Sequence, residues 1–121
     1  MNEADDGEYP VPELWRPKFR EIAAGLAIGD YRLETSPIDG LEPVDVITAA
    51  SIAENVEAYG DPLTSLSDAT WSRSVCRCMG DYWQVLVDLS TTSEPVSDLT
   101  LNAKVFDADC PRFRIVSVHV P

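Results

Sequence analysis

Chemistry at a protein site needs groups that carry a proton, a charge or a metal, and this sequence offers few of them in a usable pattern. It contains one histidine, His119, and three cysteines, Cys76, Cys78 and Cys110. No Gly-rich phosphate loop, no G-x-S-x-G and no H-E-x-x-H occurs. With a single histidine and no nucleophile motif, Ser/His or Cys/His catalysis has little to work with. What remains is a polar set in the C-terminal half: Arg73, Tyr82, Asp88, Asp98 and His119. If Asp88 and Asp98 face each other on adjacent strands, their charges repel and one pKa rises, as in acid–base pairs. Three readings compete: a polar binding face, a weak acid–base site using His119 and a carboxylate, or a solvated sheet face balanced by Arg73. Zinc would need a fourth ligand beside the cysteines, and the histidine is expected on the other face. Neither a metal nor a cofactor is assigned. Cys76 and Cys78 read as small buried hydrophobes, with a Cys76–Cys110 disulfide as a further option.

The elements that must hold these groups follow from periodicity. Phe19, Ile22, Ala23 and Leu26 share one helical face, Pro17 suits a first turn, and Gly29 suits a left-handed end. Ile52, Val56 and Tyr59 form a second stripe, with Thr48 as its expected N-cap and Gly60 and Pro62 as its stop. Tyr31 to Leu33 and Val44 to Ile47 read as short strands, and Leu63 to Ala69 as a loop or short turn. The rest reads as strands. Gly80-Asp81 suits a tight type II′ turn between Met79 and Tyr82. Asp98 to Phe106 alternates cleanly, and Arg112 to Val120 is a last strand.

Parity tests the register, because side chains alternate faces. Pairing Met79 with Tyr82 sets Val75 against Leu86 and Arg73 against Asp88. Pairing Val87 with Leu99 sets Asp88 beside Asp98. Pairing Phe106 with Phe113 sets Leu101 against Val118 and Thr100 against His119. All three pairings agree on one apolar face, which includes Cys76, Cys78, Trp83, Val85, Val87, Leu99, Leu101, Val116, Val118 and Val120. The expected fold is α+β: two or three N-terminal helices on one face of a four-stranded or larger antiparallel meander. Residues 1–11 are expected to be a flexible acidic arm, and residues 12–121 a single domain.

Charge bounds the partner. There are 21 acidic residues against 9 basic ones, a net charge of -12. Such a surface repels nucleic acid and anionic membranes and speeds the encounter with basic proteins. The polar, acidic start lacks the pattern of a secretory signal, no apolar run is long enough to span a membrane, and the odd cysteine count suits a reducing compartment. A cytoplasmic location is expected.

Trp71-x-x-Ser74-Val75-Cys76, Tyr82-Trp83-x-Val85-Leu86-Val87-Asp88-Leu89, Ser97-Asp98-Leu99-x-Leu101 and Val118-His119-Val120-Pro121 form a set of motifs across the C-terminal half. Together with Pro10-Val11-Pro12-Glu13-Leu14-Trp15-Arg16-Pro17, they resemble a family of small bacterial proteins with no assigned activity. The element order is also similar to nuclear-transport-factor-2-like cone folds. The first resemblance transfers no catalytic residue; its class implies an immunity or inhibitor protein. The expected function is therefore a non-enzymatic acidic protein that neutralises a basic partner, such as a toxin or a nucleic-acid enzyme. Asp88, Asp98, Tyr82, Asp81, Glu94, Arg73 and His119 are its expected contact residues. The alternative, implied by the cone-fold similarity, is a small-molecule pocket lined by Trp83, Leu101 and Phe19.

Overall fold

The computed structural model describes residues 7–35 and 37–121. The first α-helix, α1, spans Arg16–Ala27 and buries Phe19, Ile22, Ala23 and Leu26, the face its spacing predicts. Pro17 sits in its first turn, and Gly29 follows its end at φ +85°. The second, α2, spans Val46–Tyr59 and buries Ala49, Ile52 and Val56. Its cap is Asp45, not Thr48: the Asp45 carboxylate accepts from the Thr48 backbone N–H at 2.7 Å and from the Thr48 hydroxyl at 3.2 Å. A short 3-10 turn covers Asp68–Ser72.

Five strands make one antiparallel sheet in the order β1-β2-β3-β4-β5. They are β1 (Tyr9–Pro10), β2 (Val75–Cys78), β3 (Trp83–Asp88), β4 (Thr100–Phe106) and β5 (Arg112–His119). The expected meander supplies the last four. The β2–β3 hairpin turns as predicted, with Gly80 at φ +97° and the Met79 N–H donating to the Tyr82 carbonyl at 2.8 Å. Val75 lies opposite Leu86.

Several expectations are corrected. The arm drawn to Val11 is too long: Tyr9 and Pro10 pair with Cys76 and Val75, and Val11 is fully buried. A short edge strand carrying proline also discourages further pairing. Residues 1–6 of that arm lie outside the described residues. Tyr31 to Leu33 is a turn, because Leu33 adopts φ +57° and the Asp30 carboxylate accepts from the N–H groups of Glu34 and Thr35. Val44 to Ile47 is not a strand either: Asp45 caps α2 and Val46 opens it.

Two register errors matter more. Val87 pairs with Leu101 rather than Leu99, so Asp88 faces Thr100 and not Asp98. The slip of two residues keeps every side chain on its predicted face. It also removes a like-charge pair and gives Asp88 a hydroxyl donor, Thr100 Oγ1 at 3.2 Å. In β5, Leu101 does face Val118, but the ladder shifts between Asn102 and Ala103. That bulge turns Phe113 and Ile115 into the core and leaves Val116 exposed, against expectation. Val120, beyond the end of β5, is exposed as well.

Helix and sheet residues share one core. Phe19 meets Phe113 edge-on at 5.7 Å, and Trp15 bridges Phe113 and Trp83. Asn55 on α2 donates to the Val118 carbonyl at 2.9 Å. The outer edge of β5 is strapped by residues 40–42, since the Phe113 N–H donates to Gly40 and the Phe113 carbonyl accepts from Glu42, each at 2.8 Å. Cys76, Cys78 and Cys110 are free thiols; burial pushes the Cys76 thiol pKa up, and its Sγ lies against the Pro10 carbonyl. Phe19 and Leu101, expected to line a pocket, are fully buried core side chains. No helix among the described residues is long and apolar enough to cross a membrane.

Candidate partner-binding surface

The expected contact residues divide between two surfaces. On the outer face of the sheet, Asp88 faces Thr100 and Thr100 faces His119. Arg73 closes this row, its Nε 3.6 Å from Asp88 Oδ2. A buried hydroxyl knot fixes the Asp88 backbone. The Thr70 hydroxyl donates to the Asp88 carbonyl, and Ser74 Oγ accepts from the Asp88 N–H at 3.2 Å. The His119 ring bonds through Nδ1 to the Ser117 hydroxyl at 3.0 Å, so its hydrogen bond goes to a neutral group. Asp98 is exposed and lies outside this row.

Tyr82 and Asp81 sit at the far end of β3, on the order of 20 Å from Asp88 by strand rise. Here the outer face is aromatic and cationic. Lys104 Nζ lies 4.7 Å above the Tyr82 ring. Arg112 and Arg114 lie 4.9 and 5.1 Å from the Phe106 ring and share the Glu42 carboxylate. Arg77 pairs with Glu8 at 2.6 Å. The face expected to be polar thus gathers Arg73, Arg77, Lys104, Arg112 and Arg114, with Asp88, Glu8 and Glu42 paired to the four arginines.

The second surface forms around the C-terminal end of α2, and only Glu94 and Asp98 of the expected residues belong to it. The Tyr59 hydroxyl donates to Glu94 Oε1 and accepts from the Asp98 backbone N–H at 3.2 Å. Asp61 gathers the facing loop: it accepts from the Thr91 hydroxyl at 2.6 Å, from the Thr92 hydroxyl, and from the Ser93 N–H at 3.3 Å. A Leu63–Thr91 bridge continues the join. Glu54 and Glu57 are exposed on the last turns of α2. Asp61, Glu94 and Asp98 are therefore brought together here, at the end of the helix that carries Glu54 and Glu57.

Their isolation from cations has a sequence origin that motif reading overlooks. From Glu34 to Ser72 the chain contains no lysine or arginine. The arginines outside that run are tied elsewhere. Arg16 and Arg20 lie over the Trp71 ring at 5.2 and 5.5 Å, and Arg20 also pairs with Asp68. Arg32 donates to the Val44 carbonyl. A cation-free run would have pointed to this surface; the hydroxyls of the loop after β3 that complete it would not.

The electrostatics are local. Hydroxyl donation by Thr91, then by Thr92, holds the Asp61 carboxyl below its ordinary range. Donation from the Thr48 N–H does the same for Asp45, and from the Thr35 N–H for Asp30. Tyr59 moves the other way, because Glu94 accepts its proton in a hydrogen bond. The three aspartates have folded pKa values below their unfolded ones. Their contribution to stability is complete above about pH 4, the unfolded value, and is lost as pH falls through the folded values. Thermal melts between pH 7 and pH 2.5 should show the midpoint falling in that acid window. An Asp61→Asn variant should melt lower at pH 7 and depend less on pH below 4. Parallel curves for variant and parent would remove Asp61 from this account.

A family model described as "Domain of unknown function (DUF7668)" matches residues 23–121. The chain belongs to this family. The DUF7668 match takes in α2, β2 to β5 and the whole acidic surface, and it begins inside α1, at Ala23. No curated protein matches the chain, and no solved structure does.

Proposed function

We propose that this DUF7668 domain is a non-enzymatic binding protein that neutralises a basic protein partner, as a toxin-immunity or inhibitor protein does. The observation that carries the reading is the separation of charge. Asp61, Glu94 and Asp98 are gathered at the end of α2 by the Tyr59 and Asp61 hydrogen bonds, on the helix that carries Glu54 and Glu57, with no cation in the sequence between Glu34 and Ser72. The cations of the sheet are held over aromatic rings or in ion pairs on another face. A net charge of -12 attracts basic proteins, and a carboxylate-rich end without cations steers such a partner to it. Exposed carboxylates act mainly on the rate of encounter, so salt should weaken the complex strongly.

The test has two stages. Tagged protein is used to retain partners from cells that express it, at low and at high salt, and the retained protein is purified and its activity assayed with the domain added. A basic partner whose activity is suppressed is the expected result. A Glu94→Lys/Asp98→Lys variant should then associate at least about tenfold more slowly at low salt. Its Asp88→Asn counterpart, altered on the sheet face, should match the parent. An acidic partner, or a basic one whose activity the domain leaves untouched, would overturn the reading.

A further inference from the structure

The C-terminal ends of both α-helices open on the same cleft, a space of about 530 Å³. Leu26 and Ile28 from the end of α1, Val56, Glu57 and Gly60 from the end of α2, and Asp61 just after it line the cleft. The volume lies in the range of ordinary side-chain and ligand sites. Three features of its electrostatics agree. Each helix places the negative end of its dipole there, worth roughly half an elementary charge. Neither helix has a basic residue in its last turn, the usual compensation for that charge. Glu57 and Asp61 add two carboxylates, and no lysine or arginine lines the cleft.

The chemistry selects among occupants. A divalent metal ion needs several free oxygen ligands, and both Asp61 oxygens are already engaged by Thr91 and Thr92. A purely apolar ligand would leave the negative helix ends unanswered. A long cationic side chain suits both halves, because its methylene stem lies along apolar walls while its head remains among acceptors. The nearby Ile28 is exposed at 72%, an apolar wall open to such a stem.

We infer that the cleft between the C-terminal ends of α1 and α2 seats an arginine or lysine side chain of the partner. This rests on the proposed binding of a basic protein and places the anchor of that contact. The cleft lies beside the carboxylate group formed by Glu94 and Asp98, joined to it through the Asp61 and Tyr59 hydrogen bonds. Exposed carboxylates steer the partner, and the cleft fixes one residue of it.

The experiment uses the full chain, isotope-labelled, titrated at low salt with hexa-arginine and with its neutral isostere hexa-citrulline while backbone amide shifts are followed. Hexa-arginine should shift Ile28, Gly29, Gly60 and Asp61 together, and hexa-citrulline should not. Ala53 of α2 also lines the cleft, and Ala53→Phe, which fills it without changing charge, should remove those shifts. Glu57→Gln, a change at an exposed residue, should weaken them about threefold or more, so the inference stays testable if Ala53→Phe does not fold. Shifts spread over the exposed carboxylates and unaltered in Glu57→Gln and Ala53→Phe would overturn the cleft as an anchor while leaving the basic-partner reading intact. Equal binding of both peptides would overturn the cationic occupant. Absence of shifts with either peptide would overturn the anchor, and the activity assay above would then decide the wider reading by itself.

Discussion

Phe19→Ala is expected to destabilise the domain by roughly 3–5 kcal/mol, the range for truncating a buried phenylalanine. Phe19 has no exposed surface, and its ring stands edge-on to Phe113, which Trp15 also meets. Removing it empties the contact between α1 and the start of β5. Domains of this size are stable by about 5–15 kcal/mol, so the variant would approach the limit of folding. Urea denaturation measures it, with an unchanged slope showing that the folded state keeps its extent. Leu14→Ala, at a residue 91% exposed, should change stability by no more than about 0.5 kcal/mol. A loss below about 1 kcal/mol for Phe19→Ala would mean that this aromatic contact does not secure α1 to the sheet.

Gly40→Ala should be the most damaging of the glycine substitutions. Gly40 adopts φ +83°, where a side chain costs roughly 1–2 kcal/mol. A Cβ there would also stand 2.8 Å from the Pro111 carbonyl oxygen, a backbone atom that cannot swing aside. Overpacking of that kind adds about 1–3 kcal/mol. The strain falls on the strap over β5, because the Gly40 carbonyl accepts from the Phe113 N–H. Gly29 is the control: its φ is +85°, but nothing lies within 4 Å of its Cβ position. Gly29→Ala should therefore show the backbone cost alone. Equal losses in the two variants would mean that residues 40–42 move freely and that β5 does not depend on them.

Much of the fold was legible because periodicity reports burial. The face Phe19, Ile22, Ala23, Leu26 and the alternation of β3 and β4 follow from spacing, and the structure buries those residues. The β2–β3 turn was legible because Gly80 is the residue type its backbone requires. Registers were legible only to parity. An apolar face is equally well buried after a slip of two residues, so patterning could not separate Leu99 from Leu101 as the partner of Val87. The observed register adds polar detail: Thr100 donates to Asp88, as Asp98 could not. The bulge at Val116 was hidden for a related reason, since Val116 and Ile115 are both β-branched and either could point inward.

Sequence alone determined the composition of this protein's surface: its charge, its lack of familiar catalytic motifs, its helix stripes and its alternating strands. It also contained the cation-free run from Glu34 to Ser72. Tertiary structure decided where the charges meet. Asp61 is distant in the chain from Glu94 and Asp98, and they converge because the segment Tyr59 to Asp61 bonds to the loop that follows β3. Cations spaced along β2, β4 and β5 gather on one sheet face because strand pairing aligns Arg77, Gln84, Lys104 and Arg114 in a single row. Side-chain period is a local property and can be read from one segment. Which charges become neighbours depends on register and loop closure, where single hydrogen bonds between distant residues choose among alternatives that bury the same apolar surface.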